Sequence, residues 1–164
     1  MVEKGNIMKE EKLTELHIEL PNHWAIAGET LIALHLEGNL YELKCAPCYA
    51  YGLNMGDVVE ARVDPPALKL EVKKMIKRSG HDTLRALFKD HVPMKERLDL
   101  VKSMEAYSAA THQVTVNFFC FDIPPEGDFN AIYRQLESLE DEGYLEFETC
   151  EERQEGSFDD FPKG

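Results

Sequence analysis

The chain has 164 residues, with 31 acidic against 18 basic side chains and a formal net charge of −13. That length holds one large domain or two small ones, and it buries about 70% of the unfolded surface without disulfide or metal staples. Hydrophobic residues at 43% and charged residues at 30% exclude a disordered chain. The acidic balance makes nucleic acid an unlikely partner, because phosphate contacts need clustered Lys and Arg. No apolar run reaches the roughly 20 residues of a membrane helix, and Met1-Val2-Glu3-Lys4-Gly5 does not open a signal peptide. The expected setting is the cytoplasm, with no membrane partner.

Residues 1–28 read as a polar N-terminal extension. It contains one alternating stretch, Leu16-His17-Ile18-Glu19-Leu20, of edge-strand type, stopped by Pro21. Residues 29–66 read as a compact unit of short strands. Thr30 to Leu36 and Leu40 to Leu43 are joined by the turn Glu37-Gly38-Asn39. Gly52 and Gly56 bracket a turn before the strand Val58 to Val63, and Asp64-Pro65-Pro66 closes the unit. Short strands with glycine turns predict a small antiparallel β-barrel-like unit.

Residues 67–152 read as a second unit. Leu68, Leu70 and Val72 alternate with Lys69, Glu71 and Lys73, a half-buried strand with a basic outer face. Thr83 to Lys89 is a further strand. Pro93 opens a helix with Met94, Leu98, Val101, Met104 and Tyr107 at three- and four-residue spacing. Val114 to Ile123 reads as one long strand ended by Pro124-Pro125. A second helix over 129–142 has Asp128 as N-cap, an apolar stripe of Phe129, Ile132, Tyr133, Leu136 and Leu139, and Gly143 as its stop. Tyr144 to Thr149 is the last strand, and 153–164 reads as an acidic tail. The order strand, helix, strand or hairpin, helix, strand predicts a ferredoxin-like α/β sandwich, giving an α+β protein of two units.

The four cysteines are expected to be thiols in a reducing compartment. Cys45-Ala-Pro-Cys48 has the spacing of a redox pair or half a zinc site. However, a strand precedes it, an aromatic turn follows it, and no second ligand pair completes a metal site. The six histidines, at 17, 23, 35, 81, 91 and 112, lack ligand spacing, so no metal or cofactor is expected. His17 and His23, near Trp24, read as surface residues.

The run Tyr41-Glu42-Leu43-Lys44-Cys45-Ala46-Pro47-Cys48-Tyr49-Ala50-Tyr51-Gly52, then Gly56-Asp57-Val58-Val59, resembles the core of a bacterial family of unknown function. Arg78-Ser79-Gly80-His81-Asp82-Thr83-Leu84-Arg85 and Asp122-Ile123-Pro124-Pro125 are similar to that family's Ser-Gly-His-x-Thr and Asp-x-Pro-Pro motifs. The likeness runs from about residue 29 to 150. It departs at Cys45, where a small polar residue is usual, and at Cys48, where an aromatic is usual. The resemblance implies the two-part organisation, and it implies no reaction or catalytic residue.

Ser79, His81 and Asp82 invite a hydrolase reading, but adjacent side chains on an extended segment point apart. No Gly-x-Ser-x-Gly elbow is present either. No catalytic residue is therefore assigned, and the chain is expected not to be an enzyme. The Phe118, Phe119 and Phe121 run reads as a core strand, since it carries no Lys or Arg to serve RNA stacking.

Charge is uneven. Residues 69–102 carry five acids and ten bases, net +5, while residues 137–164 carry eleven acids and two bases, net −9. The first function that follows is an acidic protein-binding module, most concretely an immunity protein that neutralises a basic toxin. Glu140, Asp141, Glu142, Glu146, Glu148 and Glu151 would form its interface. The alternative is a small-ligand-binding regulator or enzyme with Tyr49, Tyr51, His81 and Arg85 in a cleft between the units.

Overall fold

The computed structural model describes residues 12–152 and 157–159. Side chains buried at every second position build the first sheet. It contains β1 (Leu13–Glu19), β2 (Gly28–His35), β3 (Leu40–Leu43), β4 (Val58–Asp64) and β5 (Lys69–Lys77), in that order. Neighbouring strands are antiparallel along the chain, and β5 returns to β1 through one parallel pair, His17 opposite Glu71. Leu16, Leu31, Ala33, Tyr41, Leu43, Leu53, Val59 and Ala61 form its apolar core. Each fully buried leucine there contributes about 1.5–3 kcal/mol.

Two sequence expectations change here. The 1–28 extension supplies β1, which is paired on both sides and is not an edge. The strand near 68–76, placed by sequence in the second unit, is β5 of the first sheet. Period-two alternation marks a strand but not its partner. His17, expected as surface decoration, lies at the seam. Its Nε2 is 3.8 Å from Glu71 Oε1, and its ring rests over Gly28, where an added Cβ would lie 2.3 Å from His17 Cε1.

The second unit follows with β6 (Asp82–Phe88), α1 (Met94–Ser103), a 3-10 turn (Met104–Tyr107), β7 (Ala110–Gln113), β8 (Phe118–Ile123), α2 (Phe129–Asp141) and β9 (Leu145–Thr149). Its sheet has the order β7-β8-β6-β9 with every neighbouring pair antiparallel. The protein is thus α+β, with a five-stranded and a four-stranded sheet. Leu84, Ala86, Phe88, Phe119, Phe121, Ile123 and Leu145 pack under Val101, Met104, Ile132, Leu136 and Leu139 of the helical layer. Asp128 caps α2, its carboxylate accepting from Ala131 N at 3.0 Å, and Gly143 ends the helix region with φ +83°.

The expected strand 114–123 is shorter. Val114 N donates to Phe118 O (2.8 Å) and Thr115 Oγ1 accepts from Phe118 N (3.0 Å), closing a tight turn that leaves Val116 exposed. In α1, Met94 and Leu98 of the expected stripe are exposed, and Arg97 takes a buried place instead. Its guanidinium donates to the carbonyls of Val92 (2.7 Å), Val116 (2.9 Å), Lys89 (3.2 Å) and Asp90 (3.2 Å), and to Asn117. It replaces apolar contact with a staple between two loops.

The face of the second sheet opposite the helices is also covered. Phe118, Cys120 and Asp122 of β8 and Thr83 and Arg85 of β6 are buried there, where the loop between β3 and β4 meets them. Burial on both faces explains why Phe118 to Phe121 of β8 are apolar without alternation.

Candidate functional site

Residues 45–51 of that loop are held from two sides. Glu29 on β2 accepts from three successive backbone N–H groups: Cys48 (2.6 Å), Tyr49 (3.1 Å) and Ala50 (2.9 Å). Arg85 on β6 donates to the carbonyls of Pro47 (3.0 Å), Tyr49 (3.2 Å) and Ala50. A carboxylate thus satisfies the donors of the loop and a guanidinium its acceptors, so that backbone without regular structure is tolerated between two sheets. Arg85 also lies 3.4 Å from Glu148 and 4.9 Å from the centre of the Tyr51 ring. Tyr51 donates its hydroxyl to Glu148 at 2.6 Å.

The Ser79-Gly80-His81 segment ties the other end of the loop. Ser79 N donates to Asp57 Oδ1 (2.8 Å) and Ser79 Oγ to Met55 O (2.6 Å). Asp57 Oδ2 accepts from Asn54 N (2.9 Å), and Thr83 Oγ1 donates to Asn54 Oδ1 (2.7 Å). Gly56, at φ +84°, approaches so closely that a Cβ would lie 2.9 Å from Ser79 Cβ. His81 Nδ1 is 2.8 Å from Asp122 Oδ1. The motif therefore fastens a turn; Ser79 bonds Asp57 and Met55, and His81 bonds Asp122.

Beside the clamped loop opens a cleft of about 480 Å³, within the range of small-molecule sites. Its wall is a chain of rings. His23 and Trp24 stack (6.3 Å between centres), His23 meets Tyr49 edge-on (5.5 Å), Tyr49 tilts against Phe118 (5.7 Å), and Phe118 meets Phe158 edge-on (6.1 Å). These rings come from the β1–β2 loop, the clamped loop, β8 and the C-terminal segment. Arg85, Glu146, Glu148 and Asp159 supply its charged lining. Trp24 stays 48% exposed at the wall.

His23 is a structural acceptor. Its Nδ1 accepts from Ala25 N (3.0 Å) and Ile26 N (2.9 Å), which places the proton on Nε2. Burial lowers its pKa below the ordinary 6.5; Asp159 opposes this and Arg85 adds to it. A histidine harder to protonate when folded lends stability that is complete above pH 6.5 and is lost as pH falls through its lower folded value. Acidification from pH 7 to 5 is therefore expected to lower Tm and quench or shift Trp24 emission together. His23→Asn should flatten this Tm dependence; an unchanged pH slope in that variant rejects the assignment.

The sequence-derived residues divide as follows. Tyr49, Tyr51 and Arg85 meet at the cleft. His81 does not line it; it sits four residues before Arg85, just ahead of β6, and its ring is held at Asp122. Glu148 is not an exposed acid. It is enclosed by Tyr51, Arg85 and Phe158 N (2.8 Å), and burial raises its pKa against those bonds. Glu140, Asp141, Glu142, Glu146 and Glu151 are exposed, with Glu146 3.0 Å from Lys89. In the expected acidic tail, Ser157–Asp159 packs on the protein, with Trp24 N donating to Asp159 O (2.9 Å); the remaining tail residues, 153–156 and 160–164, lie outside the described residues.

Cys45 and Cys48 are free thiols in different surroundings. Cys45 packs on the first core and its thiol donates to Ile32 O at 3.8 Å, while the Cys48 thiol donates to Ala46 O at 3.9 Å. Burial raises Cys45; the neighbouring Cys120 thiol and burial raise Cys48; burial pushes Cys150 up to about 12. Thiols held protonated are poor nucleophiles and poor metal ligands. Among the described residues no group of three His, Cys, Asp or Glu side chains is placed to hold a metal ion, and no helix is long and apolar enough to cross a membrane.

Sequence reasoning missed Glu29, His23, Trp24, Phe118 and Phe158. Only Phe118 left a usable signal: adjacent Phe118 and Phe119 on one strand must face opposite sides, so one of them leaves the core.

The clamped loop, the fastened turn and the two sheets define a class of two-unit α+β protein. Residues 29–147 match the family described as Domain of unknown function (DUF4265), and the chain belongs to that family. The fold is similar to a solved structure described as a hypothetical protein from Neisseria gonorrhoeae. The likeness has a TM-score of 0.72 at 20% identity, covering 86% of this chain and 96% of that one. No curated protein matches the chain.

Proposed function

We propose that the chain is a binding module that takes an apolar or aromatic group into the cleft between its two units. The supporting observation is the ring wall, assembled from four separate segments around about 480 Å³. An exposed Trp24 beside three further aromatic rings leaves apolar area in water, and covering it gains about 25 cal/mol per Å². The polar groups behind the wall already bond one another: Arg85 holds loop carbonyls and Tyr51 holds Glu148. They brace the wall and are committed to that role, which favours binding over catalysis. In this reading the five-stranded sheet is a small β-barrel. The second unit is ferredoxin-like, supported by its strand order and by both helices contributing to one core. The module works in the cytoplasm without a cofactor.

Trp24 is the only tryptophan, so its emission reports occupancy directly. Titration with small aromatic cations, neutral compounds and anions is expected to shift emission and raise Tm for one charge class. Tyr49→Ala is expected to weaken that ligand at least tenfold while the protein stays folded. Binding unaffected by Tyr49→Ala places the ligand elsewhere and rejects the cleft.

A second reading, the acidic immunity protein, rests on Glu140, Asp141 and Glu142. They end α2 with no basic residue in its last turn, a placement that costs helix stability because the helix C-terminus is itself negative. A basic toxin would relieve that cost. Its interface is Glu140, Asp141, Glu142, Glu146 and Glu151, without the enclosed Glu148. Reversing Asp141 and Glu142 to Lys, and sparing Glu140, whose carboxylate accepts from Phe147 N at 3.0 Å, is expected to weaken a basic partner at physiological salt by more than tenfold and to leave Tm unchanged or raised. Retained affinity sinks this reading.

A further inference from the structure

Resting on the cleft reading above, we propose that the occupant carries an organic cation, an ammonium, alkylated ammonium or guanidinium head on an apolar body. Ring faces carry negative quadrupole potential and hold cations within about 6 Å of their centres. The cleft presents Trp24, Tyr49, Phe118 and Phe158 together, and among the described residues its charged lining is three carboxylates, Glu146, Glu148 and Asp159, against the guanidinium of Arg85. That guanidinium is only 1% exposed and already serves three carbonyls and Glu148. An anion would find one buried, unpartnered donor on Arg85, its Nε, with both terminal nitrogens of the guanidinium committed, and would sit among carboxylates. A cation meets neither obstacle. His23, kept neutral by burial, does not oppose it. The site already holds one such contact, Arg85 over Tyr51 at 4.9 Å. The same chemistry could arrive as a free small cation or as a basic side chain on a partner protein.

The test follows Trp24 emission in the full chain against benzyltrimethylammonium, its neutral carbon isostere neopentylbenzene, and benzoate. Peptides bearing lysine or trimethyllysine form a further arm. The cation is expected to bind at least about tenfold tighter than the isostere, the size of effect that rings and carboxylates give a partly desolvated cation, and benzoate weaker still. Glu146→Gln, at an exposed position safe for folding, is expected to weaken the cation about threefold and to leave the isostere unchanged. Tighter binding by the peptides assigns the cation to a partner protein, and tighter binding by the free compound to a small molecule; both support the inference. Equal affinity for cation and isostere overturns it while leaving the cleft reading intact. Absence of binding by every probe overturns both.

Discussion

Arg85→Met is expected to destabilise the protein by about 3–5 kcal/mol, the cost of removing one partner from a buried charged network. Methionine fills much of the volume but donates nothing. The carbonyls of Tyr49 and Ala50 then lose this donor, Pro47 O keeps only the Cys120 thiol (3.6 Å), and Glu148 keeps only Tyr51 and Phe158 N. Arg85→Lys is expected to recover little, because one ammonium cannot span three carbonyls and a carboxylate in the fixed geometry of the guanidinium fork. Adding Glu148→Gln to Arg85→Met is expected to return part of the loss by removing the stranded charge. Urea unfolding measures this as a lower midpoint at an unchanged m-value. A loss below about 1 kcal/mol would mean that water replaces the guanidinium at all three carbonyls. Total stabilities run near 5–15 kcal/mol, so the variant should remain folded at low temperature with a loosened cleft, visible as altered Trp24 emission.

Local pattern carried much of this architecture. The α2 stripe, its Asp128 cap and its Gly143 stop are all written within the sixteen residues 128–143, and each is found in place. Strand alternation in β2, β3 and β4 is equally local. Partnership is not local. Arg85 sits opposite Glu148 on β9 and opposite Cys120 on β8, a register fixed by turns and by the packing of two helices. Nothing near residue 148 distinguishes that glutamate from the exposed Glu146 two positions earlier. The acidic run around it therefore reads as uniform surface, while one of its members lies inside the protein. The signature segment 45–52 is likewise explained only in three dimensions. Its residues matter as a backbone shape between a carboxylate and a guanidinium from strands about 55 positions apart in sequence, roughly the separation of Glu29 and Arg85.

The other jaw of that clamp makes the second large prediction. Glu29→Ala is expected to cost about 3 kcal/mol, since three backbone N–H groups lose a charged acceptor at once and bonds to charged groups contribute about 1.5–3 kcal/mol each before water partly repairs them. Glu29→Gln separates charge from geometry. The amide oxygen at the Oε1 position still accepts from Tyr49 N and Ala50 N, but the amide NH₂ then confronts Cys48 N, donor against donor. About half the loss of the alanine variant is expected. Because Glu29 and Arg85 both bond the short stretch 47–50, one through its N–H groups and the other through its carbonyls, their effects should not add. Once either jaw is gone the loop can relax, and the second removal costs less. A double-mutant cycle with Glu29→Ala and Arg85→Met is expected to give a coupling of at least about 1 kcal/mol. Strict additivity would show that the loop keeps its shape without the clamp, and that the ring of Tyr49 is positioned by the cleft wall alone.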